Sequence, residues 1–245
     1  MVLPDIRFVL CTIISMSKRR VVIGLPGNTF NNSFLLSWTK TLYALWDSNK
    51  YDIVVAPGTS SFVSFARMKT LGLDVLRGKD QKPFNGMEYD VFVTLDSDIV
   101  FSPEQVMELI DSTETHPVVA GTYMMADGRH LAVVKDWNVD YFTKNGSFEF
   151  LTADGLEQLK ANTDAKYVPV SYIGMGFMAI RREVLESLKY PYFHCELERF
   201  NKEDGTEIIE MCSEDVALCK NIQAAGFTVY MHTGLRVGHV KEIIL

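Results

Sequence analysis

Apolar residues fall into short dense runs separated by longer stretches with a helical rhythm. "RVVIGLP", "YDIVVAP" and "DVFVTL" are near-continuous runs rich in Val and Ile, as expected of strands covered on both faces. Between the first two, Phe34, Trp38, Leu42 and Leu45 recur at helical spacing and predict a helix burying those residues. Ser61 to Leu71 predicts a second helix, stopped by Gly72. After the third run, "SPEQVMELI" combines three helix-start signals. Ser102 is the N-cap, Pro103 takes the first helical position, and Gln105 completes a capping box. Alternating strands and helices of this kind imply a parallel sheet with right-handed crossovers.

The second half is less regular. "HPVVAGTYMM" predicts a strand, and "RHLAVVKDW" and "GSFEF" short strands of a more antiparallel region. Asp154 to Asn162 predicts a short helix, and "YIGMGFMAIRREVLESL" a strand running into a helix. "CSEDVALCKNIQAAG" reads as a helix with Ser213 as N-cap and Gly226 as stop; "FTVYM" and "LRVGHV" finish the chain. Tyr192 to Glu207 reads as a mobile loop. The expected fold is one α/β domain: a mainly parallel central sheet flanked by helices, with a smaller mixed or antiparallel C-terminal region.

The N-terminal run "RFVLCTIISM" is far shorter than the ~20 residues that span a membrane. Its basic cluster, Lys18-Arg19-Arg20, lies on the wrong side for a signal peptide. Met16 opens "MSKRRVVIGLPG", itself a natural start, so residues 1–15 read as a dispensable extension and 16–245 as the domain. No membrane span is expected. A hydrophobic fraction of 47% and a charged fraction of 22% suit an ordinary soluble globular protein. The net charge of -7 argues against a nucleic-acid surface, which needs clustered Lys and Arg, but leaves room for a small anionic ligand. The four cysteines show neither a CxxC pair nor zinc-type spacing, and read as reduced thiols of a cytoplasmic protein.

The chemistry gathers in "YDVFVTLDSDIVFSP", where a buried run ends on Asp96 and Asp98. Carboxylates leaving the core need compensation by a cation, by arginines or by water. Ligand sites of parallel α/β sheets lie beyond such strand ends. On extended chain the two aspartates stand roughly 6.6 Å apart, at ~3.3 Å per residue. That spacing suits one carboxylate on a metal and the other on a hydroxyl or a metal-bound water. Mg²⁺ and Mn²⁺ take oxygen ligands and keep positions open for phosphate. The alternative is a simple turn held by Asx hydrogen bonds.

"VTLDSDIVF" resembles the metal-binding D-x-D of GT-A glycosyltransferases, which use nucleotide-sugar donors. Three further stretches are similar to that family in the same order, so the likeness runs from about Val21 to Lys241. "SFARMKTLGLD" resembles the helix whose arginine reaches the nucleotide, and "YIGMGFMAIRREVLE" the glycine-containing segment beside the sugar. "CSEDVALCKNIQAAGFTVYMHTGLRVGHV" resembles the acidic helix start and the C-terminal histidine that completes the metal site. The chain is most similar to small single-domain transferases encoded by large DNA viruses and phages, which would place it in viral glycan synthesis, in the host cytoplasm.

The resemblance implies Mn²⁺ (or Mg²⁺) on Asp98, His239 and Asp96, with Asp96 also serving the ribose or a metal-bound water. It implies nucleotide-sugar contacts from Pro26, Gly27, Asn28, Thr29, Arg67, Ser97, Gly174, Gly176 and Lys241. Arg67, opposite Phe65 on its helix, is otherwise an ordinary exposed arginine, and Gly174 and Gly176 are otherwise packing glycines. Asp215, with Glu214 beside it, would take a proton from the acceptor hydroxyl; acidic residues are favoured in a first helical turn in any case. The reaction expected is transfer from a UDP-sugar, hexose or pentose, to a glycan or glycoprotein acceptor, with inversion. The alternatives are a retaining transferase, a sugar-nucleotide pyrophosphorylase and a non-catalytic nucleotide-sugar-binding protein. "GLPGNTFNNSF" lacks the basic residues of the pyrophosphorylase loop.

Overall fold

The computed structural model describes residues 18–241; the N-terminal extension, 1–15, lies outside the described residues. From the N-terminus come β1 (Arg19–Pro26), α1 (Asn32–Asp47), β2 (Tyr51–Gly58), α2 (Val63–Thr70) and β3 (Val91–Leu95). Then follow the two-residue β4 (Ile99–Val100), α3 (Pro103–Ser112), β5 (Val118–Thr122) and the short β6 (Val133–Val134). The middle of the chain forms α4 (Val139–Asn145), α5 (Ala153–Thr163), β7 (Tyr167–Pro169) and β8 (Tyr172–Ile173). Next are β9 (Phe177–Arg181), α6 (Arg182–Ser187), β10 (Leu197–Asn201) and β11 (Glu207–Met211). α7 (Glu214–Ala224), β12 (Tyr230–Arg236) and β13 (Gly238–His239) complete it.

Seven strands form one sheet in the order β2-β1-β3-β9-β5-β12-β7. β2, β1 and β3 are mutually parallel, as expected, and β12 is parallel to β5. β9 runs antiparallel between β3 and β5, and β7 antiparallel on the far edge. The α/β class and the mainly parallel central sheet are therefore as expected; β9 and β7 enter that sheet antiparallel, and the antiparallel pairs β6–β8, β10–β11 and β4–β13 form smaller ladders beside it.

The apolar runs of β1 and β3 are continuous because both sheet faces are covered there; β2 lies at the sheet edge and is mostly half-buried with Val55 exposed, so its run is not covered on both faces as expected. Val21, Ile23, Val91, Val93 and Leu95 pack with Phe34 and Leu45 of α1 and Val106, Leu109 and Ile110 of α3. Their alternating neighbours Val22, Phe92, Met178 and Ile180 pack with Met68 of α2, Val184 of α6 and Leu218 and Ile222 of α7. α3 carries the full capping box read from Ser102, Pro103 and Gln105.

Four local expectations need correction. The buried stripe of α1 is Phe34, Ser37, Thr41 and Leu45, with Trp38 and Leu42 only half-buried, so the helix is rotated from the apolar pattern. "GSFEF" forms no strand, and α4, capped by Asn138 and stopped by left-handed Gly146, replaces part of the expected antiparallel region. Tyr192 to Glu207 is not a loop throughout. Leu197–Asn201 pairs antiparallel with Glu207–Met211 in a hairpin whose turn places Gly205 at φ +83°. Ser213 stands at the N-cap position of α7 but caps no backbone N–H; its hydroxyl bonds Asp215 instead.

Candidate active site

β1 pairs with β2 on one side and β3 on the other, so the sheet order reverses there, and a crevice opens beyond the C-terminal strand ends. A cleft of about 360 Å³ fills it, lined by Pro26, Gly27, Asn28 and Thr29 after β1, by Ser60, Ser61, Val63 and Ala66 around the start of α2, and by Asp96, Ser97 and Asp98 after β3. Gly27 has φ +146°, and a Cβ there would lie 3.0 Å from the Ser97 hydroxyl, so glycine lets the two loops close on each other. Asn31 ties them further: its side chain accepts from Phe34 N at 2.7 Å to start α1, and donates to the Ser97 carbonyl at 3.3 Å.

The two aspartates are not on extended chain. Asp96–Ser97–Asp98 turns, with Ile99 N donating to the Asp96 carbonyl at 3.1 Å, and the carboxylates go to separate partners. Arg67 takes Asp96 with both terminal nitrogens, at 2.9 and 3.1 Å. Its Nε donates to Glu214 at 3.1 Å and Nη1 to the Thr94 hydroxyl at 3.4 Å. Arg67 is therefore buried while Phe65 is exposed, the reverse of the expected helix face. Burial disfavours its charge, but Asp96 first and then Glu214 outweigh this and raise its pKa. Glu214 is likewise buried against Arg67, so its carboxylate is committed to that pair and not offered to the cleft.

Asp98 meets a different pair. A two-strand ladder, Gly238 with Val100 and His239 with Ile99, brings the chain end alongside the aspartate turn. His239 Nε2 lies 3.1 Å from Asp98 Oδ2, and Lys241 Nζ donates to the same oxygen at 2.8 Å. Burial raises the Asp98 pKa, yet the His239 and Lys241 hydrogen bonds outweigh it and hold the carboxyl at about 2. His239 Nδ1 donates to the Met124 carbonyl at 2.6 Å, and Tyr123 packs edge-on to its ring with centroids 4.9 Å apart.

Tyr123 is buried at the centre of the site. Its hydroxyl accepts from Gly176 N at 3.1 Å, and burial together with the charges of Asp96 and Asp215 raises its pKa. Gly174 and Gly176 make room for it: a Cβ on Gly174 would lie 2.1 Å from the Tyr123 hydroxyl, and one on Gly176 3.1 Å from its ring. What these glycines contact is thus a tyrosine.

Asp215 begins α7 half-buried. Oδ2 accepts from the Tyr172 hydroxyl at 2.8 Å, and Oδ1 from the Ser213 hydroxyl and, at 2.9 Å, from Val216 N. Three of about four acceptor positions on a carboxylate are taken, leaving one on Oδ2. Residues missed at sequence level are therefore Tyr123, Tyr172, Asn31, Thr94 and the serines at 60 and 61. The only local signals were hydroxyls and an amide near the motifs, which many surfaces share.

No protein-family model matches the chain, and no curated protein sequence matches it. Among solved structures it is similar to A197 from STIV, at 19% identity over 91% of this chain and 86% of that one, with a TM-score of 0.49. It is also similar to glucosyl-3-phosphoglycerate synthase from Mycobacterium tuberculosis, crystallised with Mn²⁺, UDP and phosphoglyceric acid. That likeness has 14% identity over 93% of this chain and 72% of that one, with a TM-score of 0.42. A further match, described as a mycobacterial protein, has 13% identity over 93% and 69% of the two chains and a TM-score of 0.43.

Proposed function

We propose that the chain is a metal-dependent glycosyltransferase of the GT-A type, taking a UDP-sugar as donor and a glycan hydroxyl as acceptor. The observation that carries this reading is the meeting of Asp98 and His239, 141 residues apart in sequence, at the mouth of the cleft formed by residues 26–29, 60–66 and 96–98.

Among the described residues no group of three His, Cys, Asp or Glu side chains converges, so Asp96, Asp98 and His239 do not meet on one ion as expected; two donors, Asp98 and His239, are offered to a hard divalent cation. Asp98 Oδ2 and His239 Nε2 lie 3.1 Å apart, so both donors face the same small volume. Donation of Nδ1–H to Met124 leaves Nε2, which here donates to Asp98, as the nitrogen that would ligate once a cation replaced its proton, the usual outer-shell arrangement for a metal-binding histidine. Asp98 and His239 would hold Mn²⁺ or Mg²⁺. Asp96, held on both oxygens by Arg67, would serve the ribose or a metal-bound water in preference to direct ligation. When bound, the cation supplies Lewis-acid stabilisation of the charge that develops on the departing diphosphate. Pro26 to Thr29 with Ser97 line the place for the nucleoside, and Lys241 stands ready to neutralise the diphosphate from Asp98. Asp215, with one acceptor position open, takes the proton of the attacking hydroxyl, and a base opposite the leaving group gives inversion.

Incubation with Mn²⁺ and each member of a UDP-hexose and UDP-pentose panel, followed by UDP release, tests the reading. Slow hydrolysis of at least one donor, lost in Asp98→Asn, is expected. No UDP release from any donor, with no metal-dependent UDP binding, contradicts it.

A further inference from the structure

Two uncovered surfaces lie side by side at the β2 edge of the molecule. β2 ends the seven-strand sheet, with β1 as its neighbour there. The carbonyls of Lys50 and Gly58 accept from Arg19 N and Gly27 N, at 3.1 and 2.9 Å, so the even-numbered residues turn their bonding groups to β1. Tyr51, Ile53, Val55 and Pro57 turn theirs outward, and among the described residues nothing bonds those backbone groups. An open sheet edge is ordinarily blunted by lysine, proline, a bulge or a covering helix. Here Pro57 serves at one end alone. Ile53 and Val55 pair in register with Val21 and Ile23, which pack under α1, so their apolar side chains lie on the α1 side of the sheet.

α1 covers the same edge incompletely. Its Ser37 hydroxyl accepts from Phe101 N at 3.3 Å and turns one flank toward the start of α3, and the opposite flank carries half-buried Trp38 and Leu42. At 3.6 residues per turn, Leu35, Trp46, Thr39, Asn32, Tyr43 and Leu36 fall within about 100° of the helix circumference. All are exposed and none is charged, whereas the solvent face of such a helix is ordinarily charged or polar. Lys40 and Asp47 stand outside that arc. Tyr43 and Trp46, 71% and 61% exposed, leave about 250 Å² open at ~150–250 Å² per aromatic side chain. With Leu35 and Leu36, both more than half exposed, the patch matches the ~300–600 Å² of the largest on a typical monomer, a size that often marks a functional surface.

We propose that a second copy of this chain covers both surfaces, in a two-fold dimer with the two β2 strands antiparallel. One register uses every open donor: Ile53 opposite its own counterpart and Tyr51 opposite Val55, each pair exchanging two hydrogen bonds. Pro57, which has no N–H, then falls opposite Asn49, where the chain has already turned away at φ +56°. Asp52 falls opposite Val54 and Lys50 opposite Ala56, so no like charges meet. A two-fold axis through Ile53, perpendicular to the sheet, keeps the two α1 faces on the same side of the joined sheet. A standard interface takes ~800 Å² from each partner; the helix patch supplies about half, and the strand edge adjoins it. The charge-free arc offers nothing to an ionic ligand, whereas a second copy presents the same arc and the same edge in return. The dimer is independent of the transferase reading.

Sedimentation velocity of the full chain over a dilution series, with hydrogen exchange of the segment 51–57 at each concentration, tests the proposal. The wild type should sediment as a dimer that dissociates on dilution, and exchange of that segment should quicken as it does. Trp46→Glu on the helix arc and, independently, Val55→Lys on the edge should each weaken dimerisation at least tenfold. Both sites are exposed, so both variants should keep the cooperative thermal unfolding of the wild type, measured at a dilution where the wild type is monomeric. Leu36→Lys, on the same arc, replaces either variant that fails this check. A monomer at every concentration up to the solubility limit, or a dimer that survives both substitutions, overturns the proposal. Slow exchange of the segment in a monomer overturns it too and gives the edge to a segment of the same chain. A dimer whose dissociation leaves that exchange unchanged overturns the strand pairing and with it the proposal.

Discussion

Arg67 is the residue on which Asp96 and Glu214 depend. It is bound at once to Asp96 and Glu214, so its loss leaves two carboxylates without their partner. Breaking such a buried pair typically costs ~3–5 kcal/mol. Arg67→Met is expected to fall in that range in urea unfolding, and Arg67→Lys to recover little, because a lysine cannot reproduce the two-pronged grip on Asp96. The sequence could not reveal this. On an eight-residue helix an arginine near several apolar residues looks like a solvent-facing side chain, and its partners lie 29 and 147 residues away. The neighbouring acids separate in the same way. Glu214 is bonded to Arg67, so Glu214→Gln should lower stability. Asp215 keeps an open acceptor position, so Asp215→Asn should lower turnover by ~10²–10⁴ and leave UDP affinity nearly unchanged. Steady-state transfer assays beside thermal unfolding check both, and transfer by Asp215→Asn within a few-fold of wild type rejects the base assignment.

Individual elements differed in how far the sequence announced them. α3 was legible because its start combines a cap, a proline and a reciprocal glutamine within four residues, all of them local. β1 and β3 were legible because both faces are covered and their apolar runs are unbroken. α1 was misread in rotation, since it buries Ser37 and Thr41 and exposes Leu35, Leu36, Tyr43 and Trp46, against the ordinary preference. The β10–β11 hairpin was missed because its strands are mostly exposed and mix Leu197, Ile209 and Met211 with Arg199 and Glu207 on one face, so no clean apolar alternation marks them. The β8–β9 connection bears a prediction of its own. Gly174→Ala would push a Cβ into the Tyr123 hydroxyl, and overpacking of this kind typically costs ~1–3 kcal/mol. Tyr123→Phe in the same chain should recover part of the loss, because removing the hydroxyl leaves the ring carbon still at 2.9 Å. Thermal unfolding of the single and double variants checks it, and no recovery would place the strain elsewhere.

Across the molecule, the sheet order decides where chemistry can occur. The loops after β1 and β3 flank the point where that order reverses, and Tyr123 after β5 and His239 after β12 are carried to the same edge. The order of motifs along the chain was readable; the convergence of Asp98 with His239 depends on the β4–β13 ladder, whose four residues are too few to show a pattern. No helix among the described residues is long and apolar enough to cross a membrane. In the proposed function a cation bound at Asp98 would offset the carboxylates of the cleft as a diphosphate enters. The most direct measurement is calorimetric titration of UDP into the protein, first with EDTA and then with Mn²⁺, for wild type and His239→Ala. Wild type should bind UDP at least tenfold more tightly with Mn²⁺, and His239→Ala should lose most of that gain. Equal UDP affinity with and without Mn²⁺ in the wild type would contradict the account.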